Sequence, residues 1–159
     1  MKKILLAAVV FLSLSGCIKE QKCEYNECGV VAPAAEIQSV QSYLQSNNII
    51  ATQHCSGIFY AVQQEGTGTR PTPCGSVSLY YKGMLTNGNV FDQTQPGTPA
   101  GFSLSGGLIT GFKNAMLQMK SGGKMTFYIP PSLGYGVSQT GSIPANSILV
   151  FEVELLAAQ

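Results

Sequence analysis

The side chain best placed to do chemistry follows a large aromatic ring near the middle of the chain. Asp92 comes directly after Phe91 within VSLYYKGMLTNGNVFDQT, residues 77–94. Alternating apolar and polar residues predict a half-buried strand that contains Tyr81, and Asn87-Gly88 then predicts a tight turn and a return strand. Asp92 either faces water on the opposite pleat, or a backbone irregularity turns Phe91 and Asp92 toward one cavity. The local pattern leaves both interpretations open.

Cysteine and histidine are the other residues that could carry chemistry. A nucleophilic cysteine would need a histidine partner deep in a cleft, and a metal site would need clustered ligands. The chain has no CxxC pair, and its single histidine, His54 beside Cys55, is more typical of a strand edge. The sequence therefore favours neither a reactive cysteine nor a metal site.

The first residues resemble the signal peptide of a bacterial lipoprotein. Two lysines precede an apolar run, Ile4–Leu14, which is well short of the roughly 20 residues that span a bilayer. The run ends in Ser15-Gly16-Cys17, which matches a lipobox, so residues 1–16 are predicted to be a signal peptide and Cys17 to carry a lipid. An ordinary secretory peptide with an incidental cysteine is the alternative. Ile18, where an aspartate would favour the inner membrane, favours a lipid anchor in the outer membrane, facing the periplasm.

Composition and charge narrow the classes of partner. The chain has 159 residues, of which 45% are hydrophobic and 11% charged, which is typical of a single globular domain. Cleavage before Cys17 removes two lysines and leaves seven basic residues against eight acidic ones. Without a basic field, nucleic acid is excluded as an expected partner.

Export also bears on the four cysteines after Cys17. An even number of cysteines outside the cytoplasm predicts disulfide bonds. The most local pairing is Cys23–Cys28 and Cys55–Cys74. The second bridge is favoured further if Cys55 and Cys74 flank adjacent antiparallel strands. Other connectivities stay open.

The region before residue 51 and the region after it differ in pattern. Residues 17–50 are predicted to be a tether that contains one amphipathic helix over residues 34–46, and residues 51–159 to be one domain. Within that domain, alternation predicts further strands at Ile58–Gln64, Lys124–Ile129 and Ile148–Leu156.

One helix stands out among these strands. Apolar residues recur at helical spacing after Thr110, which is predicted to be the N-cap: Phe112, Ala115, Met116 and Met119. Residues 130–147 form a long loop with apolar residues, which is typical of a loop folded over something. The pattern predicts an α+β fold, in which a twisted antiparallel sheet wraps around one short helix.

Four blocks in this region resemble the FKBP-type peptidyl-prolyl cis–trans isomerases in order and spacing. They are YYKGMLTNGNVFDQT, GGLITGFKNAMLQMKSGGK, YIPPSLGYG and IPANSILVFEVELL, and the likeness covers roughly residues 56–157. The lipobox, together with the predicted helix that precedes this region, resembles the exported lipoprotein members of the family, some of which are Mip-like. The resemblance implies a ligand pocket between the sheet and the helix, and an activity that needs no cofactor.

The resemblance also implies roles for individual residues. The resemblance assigns catalytic roles to residues that would form the pocket walls and supply one hydrogen-bond acceptor and two hydrogen-bond donors. They are Tyr81, Phe91, Asp92, Ile109, Phe112, Tyr135 and Phe151. Leu108 and Ile143 are expected to contact substrate. The likeness favours the cavity-facing interpretation of Asp92. The expected partners are proline-containing segments of exported polypeptides, and the membrane through the lipid on Cys17.

Two departures from the family pattern affect what the pocket would bind. Phe112 stands where the best-known members have tryptophan, and Ala100 where some have a phenylalanine. Both departures predict a wider pocket. A wider pocket would bind macrolide inhibitors of the rapamycin class more weakly. The alternative functions are a prolyl-peptide binding module or holdase with little turnover, and a structural envelope lipoprotein with a vestigial pocket.

Overall fold

A computed structural model describes residues 23–159, so the predicted signal peptide and Cys17, which is predicted to carry a lipid, lie outside the described residues. The elements follow in chain order: α1 (Ala34–Ser46), β1 (Thr52–Gln53), β2 (Phe59–Gln64), β3 (Ser76–Leu85), β4 (Val90–Gln93), β5 (Ala100–Ser103), α2 (Thr110–Gln118), β6 (Lys124–Ile129) and β7 (Leu149–Ala158). A 3-10 turn spans Pro131–Leu133. No helix in this part of the chain has the length and apolar character needed to cross a membrane.

All strand pairs are antiparallel, in the order β1-β2-β6-β7-β3-β4, with β5 also paired to β3. The two ten-residue strands, β3 and β7, pair along almost their whole length, from Val77 opposite Ala158 to Leu85 opposite Leu149. On its other edge, β3 pairs first with β5 and then with β4. The predicted α+β fold is confirmed, and Tyr81 lies between the two pairings.

Helix α2 packs on one face of the sheet and builds the main core. The four residues of its predicted stripe, Phe112, Ala115, Met116 and Met119, are all buried with sheet residues such as Phe127. Burial of each large side chain contributes roughly 1.5–3 kcal/mol, which fixes the helix against the sheet. Thr110 is the first helical residue and Ile109 is the N-cap, one position earlier than predicted.

Helix α1 covers the opposite face of the sheet. Its bounds agree with the predicted helix over residues 34–46. Val40 and Leu44 are buried against a second cluster that includes Tyr128 and Val150. Phe127 belongs to the core under α2 and its neighbour Tyr128 to the cluster under α1, as the alternation of a strand requires.

The predicted disulfide pairing is wrong. The bonds join Cys23 to Cys74 and Cys28 to Cys55, with Cα–Cα distances of 5.8 and 5.5 Å. The prediction placed Cys55 and Cys74 beside adjacent strands, but β6 and β7 lie between β2 and β3 in the sheet.

The segment after Cys23 is attached to α2 by side chains as well. The Tyr25 hydroxyl donates to Asn114 Oδ1 at 2.6 Å, and Asn114 Nδ2 donates to the Glu27 carbonyl at 3.0 Å. Asn114 is fully buried, so these bonds satisfy a polar group that would otherwise destabilise the core. Residues 23–33, predicted to belong to a tether, therefore pack on the domain, while the division at residue 51 stays a prediction.

Candidate active site

A small cavity opens between the sheet and the beginning of α2. Its volume is about 160 Å³, and its lining comes from β3, β4, β5, α2, β7 and the loops before α2 and after β6: Tyr81, Asp92, Phe102, Gly107, Leu108, Ile109, Phe112, Tyr135 and Phe151. Most of the residues predicted to form a site meet here, although they come from distant parts of the chain.

Aromatic rings form the walls of this cavity. Phe112 is central, with ring centroids 5.1 Å from Phe151, 5.8 Å from Phe102 and 6.3 Å from Tyr81. Most of these contacts are edge-to-face, the arrangement that ring quadrupoles favour. The rings leave an apolar, concave surface open to solvent on one side.

A β-bulge sets the direction of Asp92. Gly83 pairs with Asp92 and Met84 with Val90, so Phe91 is the extra residue of β4. Asp92 lines the cavity, so the cavity-facing interpretation is correct for Asp92 but wrong for Phe91. Phe91 does not line it; its ring packs edge-on against Phe151, with centroids 5.5 Å apart, and supports the wall from behind.

The absence of a side chain at Gly83 makes this packing feasible. A Cβ atom there would lie 2.6 Å from the Phe91 ring and 2.9 Å from the Phe151 ring, closer than van der Waals contact allows. The two rings therefore approach each other across bare backbone.

Tyr81 and Asp92 form a hydrogen-bonded pair at the cavity mouth. The Tyr81 hydroxyl donates to Asp92 Oδ2. Burial, and then the hydrogen bond to the carboxylate, raise the pKa of Tyr81 well above its usual range, so the phenol stays protonated near neutral pH. Thr94, the residue after β4, fixes the Tyr81 backbone through two hydrogen bonds. The Tyr81 N–H donates to Thr94 Oγ1 at 3.2 Å, and the Thr94 N–H donates to the Tyr81 carbonyl at 3.0 Å.

Two hydrogen-bond donors, the Ile109 N–H and the Tyr135 O–H, belong to residues that line this cavity. Ile109 is the N-cap of α2, and among residues 23–159 no acceptor pairs with its backbone N–H. The positive end of the helix dipole adds to its attraction for a carbonyl oxygen. Tyr135, 38% exposed, borders the same cavity. An apolar ring attached to a carbonyl would thus find both an aromatic wall and hydrogen-bond donors.

The structure departs from the predicted site at two further positions. Ile143 is buried and bridges to Thr140 within the loop, and it does not line the cavity. Phe102 lines the cavity but was not predicted to do so, because the family resemblance directed attention to Ala100, which pairs with Leu79. Phe102 is the only aromatic residue of β5, and that was the available signal.

A larger depression, of about 490 Å³, shares Tyr81 with this cavity but is otherwise lined by different residues of the sheet, and it suits this chemistry less well. Its charged groups pair with each other, Lys82 with Glu152 at 3.7 Å and Lys124 with Glu154 at 3.0 Å. It has no cluster of rings around a free donor. The smaller aromatic cavity is therefore the candidate site.

Between Cys23 and Gln159, one group of cysteine and histidine side chains is close enough to share an ion. The relevant atoms of Cys28, His54 and Cys55 lie within 4.8 Å of one another, but the two sulfurs are joined as a disulfide. This group lies apart from the aromatic cavity.

Comparison with known proteins agrees with this geometry. Residues 68–156 match the family model described as FKBP-type peptidyl-prolyl cis-trans isomerase. Over 105 residues, 65% of this chain, the sequence is 43% identical to the FKBP-type peptidyl-prolyl cis-trans isomerase FkpA of Aeromonas hydrophila.

Two solved structures are similar over most of the chain. A peptidyl-prolyl cis-trans isomerase from Pseudomonas syringae superposes with a TM-score of 0.68 at 31% identity, covering 82% of this chain and 100% of that one. FkpA from Escherichia coli gives a TM-score of 0.68 at 35% identity, covering 78% of this chain and 60% of that one. The chain spans between 39% and 57% of the length of the first curated relatives it matches.

Proposed function

The chain belongs to the family of FKBP-type peptidyl-prolyl cis–trans isomerases, and from that premise we propose that it isomerises X–Pro bonds in exported polypeptides. The observation that carries the proposal is the aromatic cavity with the Tyr81–Asp92 pair at its mouth and the Ile109 N–H beside it. A proline ring would lie in the cavity against the wall that Phe112 and Phe151 form together, and the adjacent carbonyls would meet the donors.

Isomerisation requires a changed environment around the X–Pro amide and does not require a reactive group. Rotation about an X–Pro bond breaks amide resonance and crosses a barrier of roughly 18–20 kcal/mol. The planar amide is more dipolar than the twisted one, so apolar rings disfavour the planar ground state. The Ile109 N–H and the Tyr135 O–H would hold the carbonyls in the twisted form. No bond is cut, so neither a nucleophile nor a cofactor has a step to perform.

Asp92 would act on this environment through Tyr81. By accepting a hydrogen bond from the Tyr81 hydroxyl, the Asp92 carboxylate fixes the orientation of the ring and places a negative charge at the rim. A rate gain of about a hundred-thousand-fold corresponds to about 7 kcal/mol, which desolvation, orientation and a few hydrogen bonds together could supply.

The direct test is a protease-coupled assay of the mature chain with Leu-Pro and Phe-Pro peptides. We expect the cis-to-trans rate to rise in proportion to protein concentration. A rate equal to that in buffer would instead support a holdase, the second candidate. That candidate is favoured by Val137, which is 81% exposed and offers an apolar contact for an unfolded chain two residues beyond Tyr135.

We further propose that the protein is a Mip-like lipoprotein anchored in the outer membrane and facing the periplasm, through a lipid on Cys17. The support is the sequence alone: two lysines, the apolar run and the Ser15-Gly16-Cys17 ending. Mass spectrometry of the mature N-terminus should show acylated Cys17, and Cys17→Ser should release the protein from membranes. An unmodified mature N-terminus at another residue would contradict this assignment.

The aromatic wall of the cavity also affects the affinity for macrolide inhibitors. Phe112 presents a smaller ring than tryptophan would, so a macrolide of the rapamycin class would keep fewer contacts with the base of the cavity. We propose weak inhibition by such compounds, to be measured by competition in the peptide assay. Restoration of tight binding by Phe112→Trp would support this explanation.

A further inference from the structure

The two disulfides differ in the side chains beside them. Cys28 and Cys55 are exposed, and the chain's single histidine lies against their bond. His54 Nε2 is 3.6 Å from Cys55 Sγ and 3.3 Å from Glu27 Oε2. Cys74, in the other disulfide, is exposed as well, so exposure alone does not distinguish the bonds, whereas the imidazole does.

Hydrogen bonds define which ring nitrogen of His54 carries the hydrogen. The Ser56 backbone N–H donates to His54 Nδ1 at 3.2 Å, so Nδ1 is an acceptor. Nε2 therefore bears the hydrogen and donates toward Glu27. The His54 side chain is only 11% exposed, and the bonds from Ser56 hold it beside Cys55. Cys55 Sγ lies 3.6 Å from Nε2 and 3.8 Å from Nδ1, so it sits over the ring, and a sulfur anion released from Cys28 would reach the Nε2 hydrogen by turning toward it and sharing it with Glu27.

We propose that Cys28–Cys55 is a thiol–disulfide exchange site for cysteine-containing polypeptides. A thiolate of the polypeptide attacks Cys28 Sγ, the bond to Cys55 breaks, and the electron pair leaves on Cys55 Sγ, which accepts a hydrogen bond from His54 Nε2. A second thiolate of the polypeptide then attacks the polypeptide's first sulfur, which is bonded to Cys28 in the mixed disulfide. The new disulfide forms within the polypeptide, and Cys28 leaves as a thiolate. The polypeptide's dithiol is oxidised to a disulfide, and Cys28 and Cys55 take up its two electrons and two protons as thiols.

Leaving-group stability gives the reaction its direction. Exchange is faster when the departing sulfur is stabilised as an anion, which favours attack at Cys28 and departure of Cys55. The site lies at the β1 edge of the sheet, while Asp92 lies on β4 at the opposite end of the strand order. The exchange reaction is thus separate from prolyl isomerisation and does not depend on it.

Partial reduction of the oxidised, mature protein tests the reactivity. With limiting dithiothreitol and a metal chelator, alkylation and peptide mass spectrometry should show Cys28 and Cys55 labelled about tenfold faster than Cys23 and Cys74. His54→Ala should abolish this preference, and His54→Gln, which keeps an N–H donor, should retain part of it. Gln53→Ala on the neighbouring strand is the matched control and should change nothing.

A reduced peptide with two cysteines tests the activity itself. Acid-quenched mixtures should contain a mixed disulfide between the peptide and Cys28, followed by the oxidised peptide. Equal opening of both disulfides, or an unchanged preference in His54→Ala with retained secondary structure, would overturn the proposal. So would reduction by dithiothreitol without any adduct of the peptide at Cys28.

Discussion

Asp92 and Tyr135 border the cavity without belonging to the buried core, so their substitution should affect turnover more than folding. A lost hydrogen bond to a charged group costs about 1.5–3 kcal/mol, which predicts a fall of roughly tenfold or more in kcat/KM for Asp92→Ala. Tyr135→Phe should cost less. The coupled peptide assay gives the rates, and thermal melts should shift by less than about 3 °C.

The conservative variant Asp92→Asn is the control for this expectation. It keeps an acceptor for the Tyr81 hydroxyl but removes the charge, so its rate should lie between those of the wild type and Asp92→Ala. If melting temperature and activity fell together in all variants, these residues would be structural.

The protonation state of Tyr81 predicts how activity depends on pH. Burial and the bond to Asp92 raise the pKa of Tyr81, so the folded state holds its proton more tightly than the unfolded state does. The stabilisation is fully present below the unfolded pKa of about 10 and is lost as pH rises above it. Between about pH 6 and pH 9 kcat/KM should stay constant, because no proton transfer is needed. A bell-shaped profile within that range would contradict the mechanism.

At this scale, the sequence predicted the polar residues of the site better than its apolar boundary. The family motif located Tyr81, Asp92 and Tyr135 at the cavity. Whether a ring lines a cavity or supports it from behind depends on neighbouring strands, as Phe91 and Phe102 show. Local alternation does not contain that information.

The elements around the cavity depend on one another through single contacts. Glu36 on α1 accepts a hydrogen bond from the Ser132 backbone N–H at 2.8 Å, at the start of the loop that carries Tyr135. Loss of this acceptor should loosen the loop, and we expect Glu36→Ala to lower kcat/KM a few-fold, chiefly through KM, in line with about 1 kcal/mol. Glu36→Gln should recover part of the activity. Gln38→Ala, on the exposed surface of the same helix, should leave both parameters unchanged.

Gly83 tests the packing of the cavity wall. Gly83→Ala would force the Phe91 and Phe151 rings apart, with an overpacking cost of about 1–3 kcal/mol and a loss of activity. Gly101→Ala in β5 is the matched control, because a Cβ there meets nothing within 4 Å. Chemical denaturation and the peptide assay measure both effects. Equal stabilities for the two variants would show that the rings adapt without cost.

Helices and strands were predicted well because the spacing of apolar residues along the chain reveals them. The order of the strands in the sheet was not predicted. The stripe of α2 and the bounds of α1 follow from residue spacing. Alternation identifies the face of a strand that is buried and says nothing about its neighbour. For that reason the insertion of β6 and β7 between β2 and β3 could not be predicted locally, and the disulfide pairing was wrong with it.

At the scale of the whole molecule, residues 23–50 bind the rest of the chain in three ways. Two disulfides close sequence separations of 51 and 27 residues, α1 buries Val40 and Leu44 on the sheet, and Tyr25 satisfies Asn114 on α2. A chain of residues 51–159, with Cys55 and Cys74 changed to serine, should therefore be much less stable than residues 23–159. Since one disulfide of this kind contributes about 3–4 kcal/mol, the loss should exceed that of either Cys→Ser pair made in the longer chain. Urea unfolding of the four proteins gives the comparison. Equal midpoints for the short and long chains would mean that the domain begins at residue 51, as the sequence predicts, and that the preceding segment adds nothing to its stability.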